Sequence, residues 1–391
     1  MKILVLNSGS SSLKYKLFDM AKEEVLFSGH VDGIGLERCA LKTKCKGVSD
    51  EKGVKVVDHV DAVMMALKSL KTSGVIADYS EIKAVGHRVV HGGEYYSKPT
   101  LINDSVIKRV KELIELAPLH NPANLAGILA CEKMLPKIPQ IAIFDTAFHQ
   151  TMAPENYLYP LPYELYSKDK IRRYGFHGPS HKYISEQAAK LLGKKETKII
   201  TCHLGNGCSV AAIRNGKSVI TSMGFTPLEG LMMGTRSGNI DPAIFFYLCH
   251  EKGMTSRQVE DLLNKESGLL GVSGVTSDMR DLHKVAVRGN KRAKLAIEMF
   301  SSRIAFYIAG YTSSLEGVDC IVFTAGIGEN AAFVRKHVCG MLSHLGLAID
   351  SKANKRNSAI ISTANSKIKV YVIPTNEELE MARETEEIIK R

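Results

Sequence analysis

The chain has 391 residues, 45% hydrophobic and 24% charged, a length that exceeds one ordinary hydrophobic core and a mixture that excludes a fibrous or disordered protein. Two domains of roughly 200 residues or fewer are the natural expectation. The formal charge of +11 comes from 52 Lys and Arg against 41 Asp and Glu, scattered without a basic cluster interleaved with aromatics, which argues against a nucleic-acid partner and fits a general field that attracts small anions.

Residues 3 to 29, ILVLNSGSSSLKYKLFDMAKEEVLFSG, read as strand, small-residue turn, strand, charged turn and strand. In that first turn Asn7, Ser8, Gly9, Ser10, Ser11 and Ser12 precede Lys14. Residues 58 to 73 place Val60, Val63, Met64, Leu67 and Leu70 at helical spacing and end before Gly74. AVGHRVVHGG then reads as a strand running into a loop, with Arg88 at the junction. A helix is expected from Ser105 to Ala117, stopped by Pro118, and another from Pro122 to Leu135, stopped by Pro136. IPQIAIFDTAFH supplies a strand followed by Asp145, and the first unit ends near residue 146.

RYGFHG, with His177, leads into the second unit. There IITCHLGNGCSVAAIRNGKSVITSMG, residues 199 to 224, repeats the opening grammar, with His203, Gly205, Asn206, Gly207 and Ser209 in the matching turn. Arg236 follows in GTRSGNIDP; helices are expected near 256 to 265 and 292 to 315, and a strand at 319 to 324. The chain closes with a strand and an acidic helix, Glu377 lying at their junction. The duplicated hairpin predicts an α/β fold of two related domains facing one cleft, 1–146 with 378–391 and 147–377, with no low-complexity linker between them.

Glycine lets a backbone approach an anion closely, and hydroxyls and turn N–H groups donate to its oxygens, so both turns are candidate phosphate cradles. Gly and Ser also make ordinary hairpin turns; the repetition favours the functional reading. Ligands in open α/β sheets sit at strand ends, and Arg88, Asp145, His177, Arg236 and Glu377 all fall there. Together they suit phosphoryl transfer, which needs positive donors, oxygen ligands for a metal and little covalent work by the protein. Two competing readings use other residues. Gly326, Gly328 and Ala331 form GxGxxA with Asp350 about 20 residues on, a dinucleotide pattern, but no hydride-transfer set accompanies it. His177 and His181 have helical metal spacing without the glutamate of HExxH, and Pro179 lies between them. No P-loop and no protein-kinase motif set is present. The eight cysteines form no CxxC pair and read as reduced core thiols. The start is too weakly apolar for a signal peptide and no stretch is long enough for a membrane helix, so a cytoplasmic location without a membrane partner is expected.

NSGSSSLK at 7 to 14, HRVVHGG at 87 to 93, PLHNP at 118 to 122, FDTAFH at 144 to 149, YGFHG at 174 to 178, HLGNG at 203 to 207, GTRSG at 234 to 238, GIGEN at 326 to 330 and TNEE at 375 to 378 resemble the acetate kinase family along the whole chain. The resemblance implies two duplicated actin-like (ribonuclease H-like) domains around a central nucleotide cleft. It implies reversible transfer of the γ-phosphoryl group of ATP to acetate, giving acetyl phosphate and ADP, with Mg2+ or Mn2+, in a homodimer. Propionate kinase and a noncatalytic ATP switch are the alternatives. By position, Asn7 and Glu377 would serve the metal. Lys14, Ser10, Ser12, His203, Leu204, Gly205, Asn206, Gly207, Asp278, Met279, Arg280, Gly326, Ile327, Gly328, Glu329 and Asn330 would hold the nucleotide. Arg88 and Arg236 would bind the acetate carboxylate and phosphoryl oxygens, with His177 and Asp145 completing the catalytic set. Val90, Leu119, His120, Phe176 and Pro227 would surround the acceptor.

Overall fold

The computed structural model describes every residue, Met1–Arg391, and the chain forms two compact units: Met1–Phe148 with Asn376–Arg391, and His149–Thr375. The first is built on an eight-stranded sheet of β1 (Lys2–Ser8), β2 (Ser12–Asp19), β3 (Glu24–Asp32), β4 (Cys39–Cys45), β5 (Val48–Val54), β6 (Ile82–Val89), β7 (Thr100–Leu101) and β8 (Gln140–Phe144), in the order β5-β4-β3-β2-β1-β6-β8-β7. β1 to β5 form an antiparallel meander, whereas β1, β6 and β8 run parallel. Their burial follows from that arrangement. β2 alternates, with Leu13, Tyr15 and Leu17 inward and Lys14 and Lys16 outward, while all five residues of β8 are buried, as a strand covered on both faces requires.

The expected helix at 58 to 73 forms as His59–Thr72, with Asp58 capping the Asp61 N–H. Its buried stripe is not the expected one: Val60 and Met64 are 38% and 48% exposed, and Ala62 and Ala66 take their places beside Val63, Leu67 and Leu70. Small residues allow the helix to lie close on its neighbours, chiefly helix Asn121–Met134 and also β2 and β3, and the large apolar ones at its margin are left outside. The expected Ser105–Ala117 helix runs only over Asp104–Glu112. Leu113 and Ala117 are both buried, and the chain turns between them through N–H bonds from Leu116 and Ala117 to the Leu113 carbonyl, which brings both apolar residues inward before Pro118. Helices Asn121–Met134 and Glu377–Lys390 pack against β1 and β6, the latter also against β8.

The second unit has a five-stranded sheet of β9 (Lys198–Leu204), β10 (Cys208–Arg214), β11 (Lys217–Thr221), β12 (Cys320–Thr324) and β13 (Lys369–Val372), ordered β11-β10-β9-β12-β13. β9, β10 and β11 are antiparallel and β9, β12 and β13 parallel, so the hairpin-plus-parallel-neighbour pattern of β1, β2, β3 and β6 occurs twice. The long helix, Lys291–Ser314, starts at an Asn290 cap. The helix expected near 256 to 265 is α-helical over Ser256–Asp261 and widens to a π turn over Leu262–Glu266. That turn frees backbone carbonyls: Leu263 accepts from the Ser237 N–H at 3.0 Å and Asn264 from the Thr235 hydroxyl at 2.9 Å, so it anchors the loop that carries Arg236. All eight cysteines are free thiols, six of them buried.

Candidate active site

In the first unit, parallel pairing of β6 and β8 sets Arg88 beside Ile143, so the next turn of chain brings Asp145 alongside the guanidinium. Arg88 Nε donates to Asp145 Oδ1 at 2.8 Å and a terminal nitrogen donates to Oδ2 at 2.6 Å, a two-pronged pair that fixes the plane of the guanidinium. Burial opposes the charge on Arg88, but Asp145, followed by Glu377 and Glu378, holds its pKa above the ordinary value. Glu377 lies in the first turn of its helix, whose Asn376 side chain caps the Leu379 N–H. Burial, reinforced by Asp145 and Glu378 and opposed by Arg88 and Lys14, pushes Glu377 up to about 7.

Asn7 ends β1 in register with Lys14 on β2, and Lys14 is exposed. Between them the Gly9 N–H donates to the Ser12 carbonyl at 2.8 Å, closing the serine turn, with Ser10 exposed at its tip. Asn124 joins this turn to the end of β6: its Oδ1 accepts from the Val90 N–H at 2.9 Å and its Nδ2 donates to the Ser8 carbonyl at 2.8 Å. Val90 is buried, and His120 sits at the cap position of the helix that carries Asn124. Leu119, in contrast, is 46% exposed in this unit.

In the second unit His177 adopts a left-handed conformation, φ 59°, immediately before helix Gly178–Leu192. That backbone is costly for a residue with a side chain and is a feature of functional sites. Its ring stacks on His203 with centroids 4.2 Å apart, and its Nδ1 lies 2.8 Å from Ser209 Oγ. His203 Nδ1 in turn meets Ser180 Oγ at 2.8 Å. The Gly205 N–H donates to the Gly207 carbonyl, and a Cβ on Gly207 would lie 3.4 Å from an Arg236 terminal nitrogen and 3.6 Å from His177 Nε2. Arg236 and His177 therefore flank one bare stretch of backbone. Arg236 donates to the Pro227 carbonyl at 3.3 Å and approaches Met233 Sδ at 3.8 Å, both neutral partners, and burial draws its pKa down from the ordinary value. Phe176 is buried and its carbonyl accepts from His149 Nε2 at 3.0 Å.

Beside this turn lies a cavity of about 670 Å³ in the same unit. Gly205 and Asn206 form one wall, Asp278, Met279 and Arg280 another, and Gly326, Ile327 and Asn330 a third. Asp278 caps helix Met279–Val287 and pairs with Arg280 at 2.5 Å on an exposed rim. Gly328 packs under the loop, Glu329 accepts from the Thr375 N–H at 3.1 Å, and Leu204 is wholly buried, so these three shape the walls without lining them. Sequence reading missed Ser277 and Phe333, which line the cavity, and Arg335, a fully buried guanidinium that donates to the Gly328 and Glu329 carbonyls at 2.7 and 2.8 Å. Neither Phe333 nor Ser277 carries a motif; Arg335 was legible only as a charge set among the apolar residues Val334 and Val338.

Both competing site readings lose their residues. Asp350 spends its carboxylate on the Lys352 and Ala353 N–H groups as a helix cap, so it is not a ribose partner. His181 is buried with Nδ1 at 2.7 Å from Thr201 Oγ1 and Nε2 at 2.7 Å from Ser209 Oγ, so hydroxyls occupy the positions a metal would need.

The model of the acetokinase family matches residues 2–383. The chain is 54% identical to an acetate kinase of Clostridium botulinum over 99% of both chains. Among solved structures it is similar to acetate kinase from Porphyromonas gingivalis, with a TM-score of 0.94 and 47% identity over 99% of both chains. It is equally similar to a propionate kinase from Francisella tularensis, with a TM-score of 0.95 and 46% identity over 99% of both.

Proposed function

The chain belongs to the acetokinase family, and from that premise we propose that it transfers the γ-phosphoryl group of ATP reversibly to acetate, giving acetyl phosphate and ADP. It is a phosphotransferase with a carboxylate acceptor. The observation that carries the reading at the site is Arg236: a half-buried guanidinium with only neutral partners, beside His177 and a glycine turn, is a place prepared for an anion.

The chemistry assigns the remaining roles. A small carboxylic acid has a pKa of about 4.3, so acetate arrives ionised and needs no general base. The barrier is the approach of two anions, lowered by positive donors and by positioning. Asp145 holds the Arg88 guanidinium in one plane, and Arg88 and Arg236 neutralise the acceptor carboxylate and the phosphoryl oxygens, with His177 donating to the latter in an in-line transfer without a phosphoenzyme. Val90, Leu119, His120, Phe176 and Pro227 would surround the acceptor. A pocket of this kind discriminates one methylene by roughly 1 to 3 kcal/mol, so propionate should be a poorer substrate. Nucleotide would occupy the 670 Å³ cavity, and the family resemblance assigns Lys14, Ser10 and Ser12 to its phosphates.

The donor set fits a magnesium ion. Asn7 and Glu377 offer hard oxygen atoms, and Glu377, raised to about 7 chiefly by burial with Asp145 and Glu378 adding to it, is a carboxylate whose charged form a dication would favour. Magnesium characteristically keeps several waters and leans on substrate phosphates, so two protein oxygen donors suffice for it. Bound there, Mg2+ or Mn2+ would neutralise phosphate charge. A cytoplasmic homodimer completes the reading; no helix is long and apolar enough to cross a membrane.

The test is ADP formation from Mg-ATP with acetate, propionate, butyrate or no acid, with hydroxylamine trapping any acyl phosphate. Acetate-dependent trapping that exceeds propionate supports the proposal. Preference for propionate moves it to the alternative acceptor, and ATP turnover without acid dependence moves it to an ATP-driven switch.

A further inference from the structure

His177, His181, Ser209 and Thr201 form an unbroken line of hydrogen bonds in the second unit, and their proton count fixes its direction. Ser209 Oγ lies 2.8 Å from His177 Nδ1 and 2.7 Å from His181 Nε2, and His181 Nδ1 lies 2.7 Å from Thr201 Oγ1. Ser209 has a single hydroxyl proton, so the two ring nitrogens facing it cannot both be acceptors. One must be an N–H.

Three arrangements satisfy that condition. If both rings donate to Ser209, its own hydroxyl proton, fully buried, is left without an acceptor; the other two run in opposite directions. In one, His181 donates from Nδ1 to Thr201, Ser209 donates to His181 Nε2, and His177 donates from Nδ1 to Ser209. The Thr201 hydroxyl proton is then left to find another acceptor, yet Thr201 is fully buried on β9 and its side-chain oxygen is paired with His181 alone. A buried donor without an acceptor costs about 1 to 3 kcal/mol. In the other direction Thr201 donates to His181 Nδ1, His181 Nε2 donates to Ser209, and Ser209 donates to His177 Nδ1. Each of the three contacts then carries one proton, and neither buried hydroxyl is left without an acceptor. His181, buried and close to His149 and His203, has its pKa lowered well below the ordinary value, so it stays neutral with one N–H, as this line requires.

We propose that Ser209 is a positioning residue that, relayed from Thr201 through His181, locks His177 as the neutral tautomer with its proton on Nε2, the nitrogen beside Gly207 and Arg236. This rests on the reading of His177 as a phosphoryl donor. It gives that role a structural origin: the ring presents an N–H to an oxyanion at neutral pH without having to gain a proton, and it does so on backbone already held in a strained conformation. The pattern parallels metal-binding histidines, whose outer hydrogen bond selects the tautomer.

The experiment is nitrogen-15 NMR of ring-labelled histidine in the full-length protein without ligands, with the His177 signals assigned by their loss in His177→Gln. The expected result is a neutral Nε2–H tautomer for His177 at pH 7, retained in Ser209→Thr and replaced by a tautomer mixture in Ser209→Ala. In turnover assays Ser209→Ala should lower kcat about 10- to 100-fold with the KM for ATP changed less than about twofold, and Ser209→Thr should restore most of it. An Nδ1–H tautomer or an imidazolium in the unaltered protein overturns the proposal, and that reading does not depend on any variant folding. So does an Nε2–H tautomer that persists in Ser209→Ala. If the tautomer behaves as expected while no acid supports phosphoryl transfer, the tautomer assignment stands and the proposed function fails.

Discussion

Arg88 and Arg236 are both arginines at the ends of structure, yet their surroundings assign them different work. Arg88 has two donors committed to Asp145, so its orientation is set before any ligand arrives, whereas Arg236 has no acidic partner. Arg236→Ala should therefore lower kcat by roughly 10²- to 10³-fold with little change in the urea midpoint, and Arg236→Lys should recover only part, because an ammonium lacks the planar fork. Steady-state kinetics beside urea unfolding checks this; a lost midpoint would mean a structural role. Histidine burial makes a second residue-scale prediction. His87, fully buried and bonded through Nε2 to Gln140 at 2.7 Å, has its pKa lowered by burial from 6.5 to about 4. The unfolded chain takes up this proton below about 6.5 and the folded chain does not until about 4, so stability is full above that window and falls as pH drops through it, by at most about 3 kcal/mol. Urea midpoints at pH 7 and 4.5 should fall less in His87→Asn than in the unaltered protein. The types of the site residues were legible because unusual polar residues stood at strand ends; Ser277 and Phe333 were not, since nothing local distinguishes a cavity wall from ordinary packing, and Arg335 showed only as a charge among apolar helix positions, with no sign of what it anchors.

At the scale of elements, the hairpins were readable because strand alternation and turn composition are local, whereas helix boundaries and buried faces were set by what the helix meets. Val60 and Met64 have the right spacing but stay exposed, while Ala62 and Ala66 are buried where the helix meets helix Asn121–Met134, β2 and β3. The π turn at Leu262–Glu266 has no sequence mark at all, and it exists where its carbonyls hold Thr235 and Ser237 on either side of Arg236. The same loop turns at Gly238, φ 68°, where a Cβ would lie 2.4 Å from the Leu231 carbonyl oxygen. Gly238→Ala should cost about 2 to 4 kcal/mol and depress kcat, because the Gly230–Leu231 backbone against it cannot yield. Gly216→Ala is the control: φ is 74° but nothing lies within 4 Å, so only the left-handed penalty of about 1 kcal/mol applies. Equal losses in urea unfolding would refute the crowding argument.

For the whole molecule, helix Ala243–Glu251 (AIFFYLCHE) is strongly apolar and buries none of its residues, with Phe246 and Tyr247 more than half exposed. A face of that character in a protein read as a homodimer is the natural interface, so Phe246→Glu should shift the mass measured by light scattering from dimer to monomer. A dimer unchanged by the substitution would place the interface elsewhere. By itself the sequence determined the duplicated α/β plan, the family and the residue types of the chemistry, because periodicity, turn composition and long ordered motifs are properties of neighbouring residues. Only the tertiary structure decided that Asp145 grips Arg88, that Arg236 has neutral partners, and that Thr201 reaches His177 through His181 and Ser209. Those facts depend on which strands lie side by side and on where each hydroxyl proton can go, and neither is written in the order of residues along the chain.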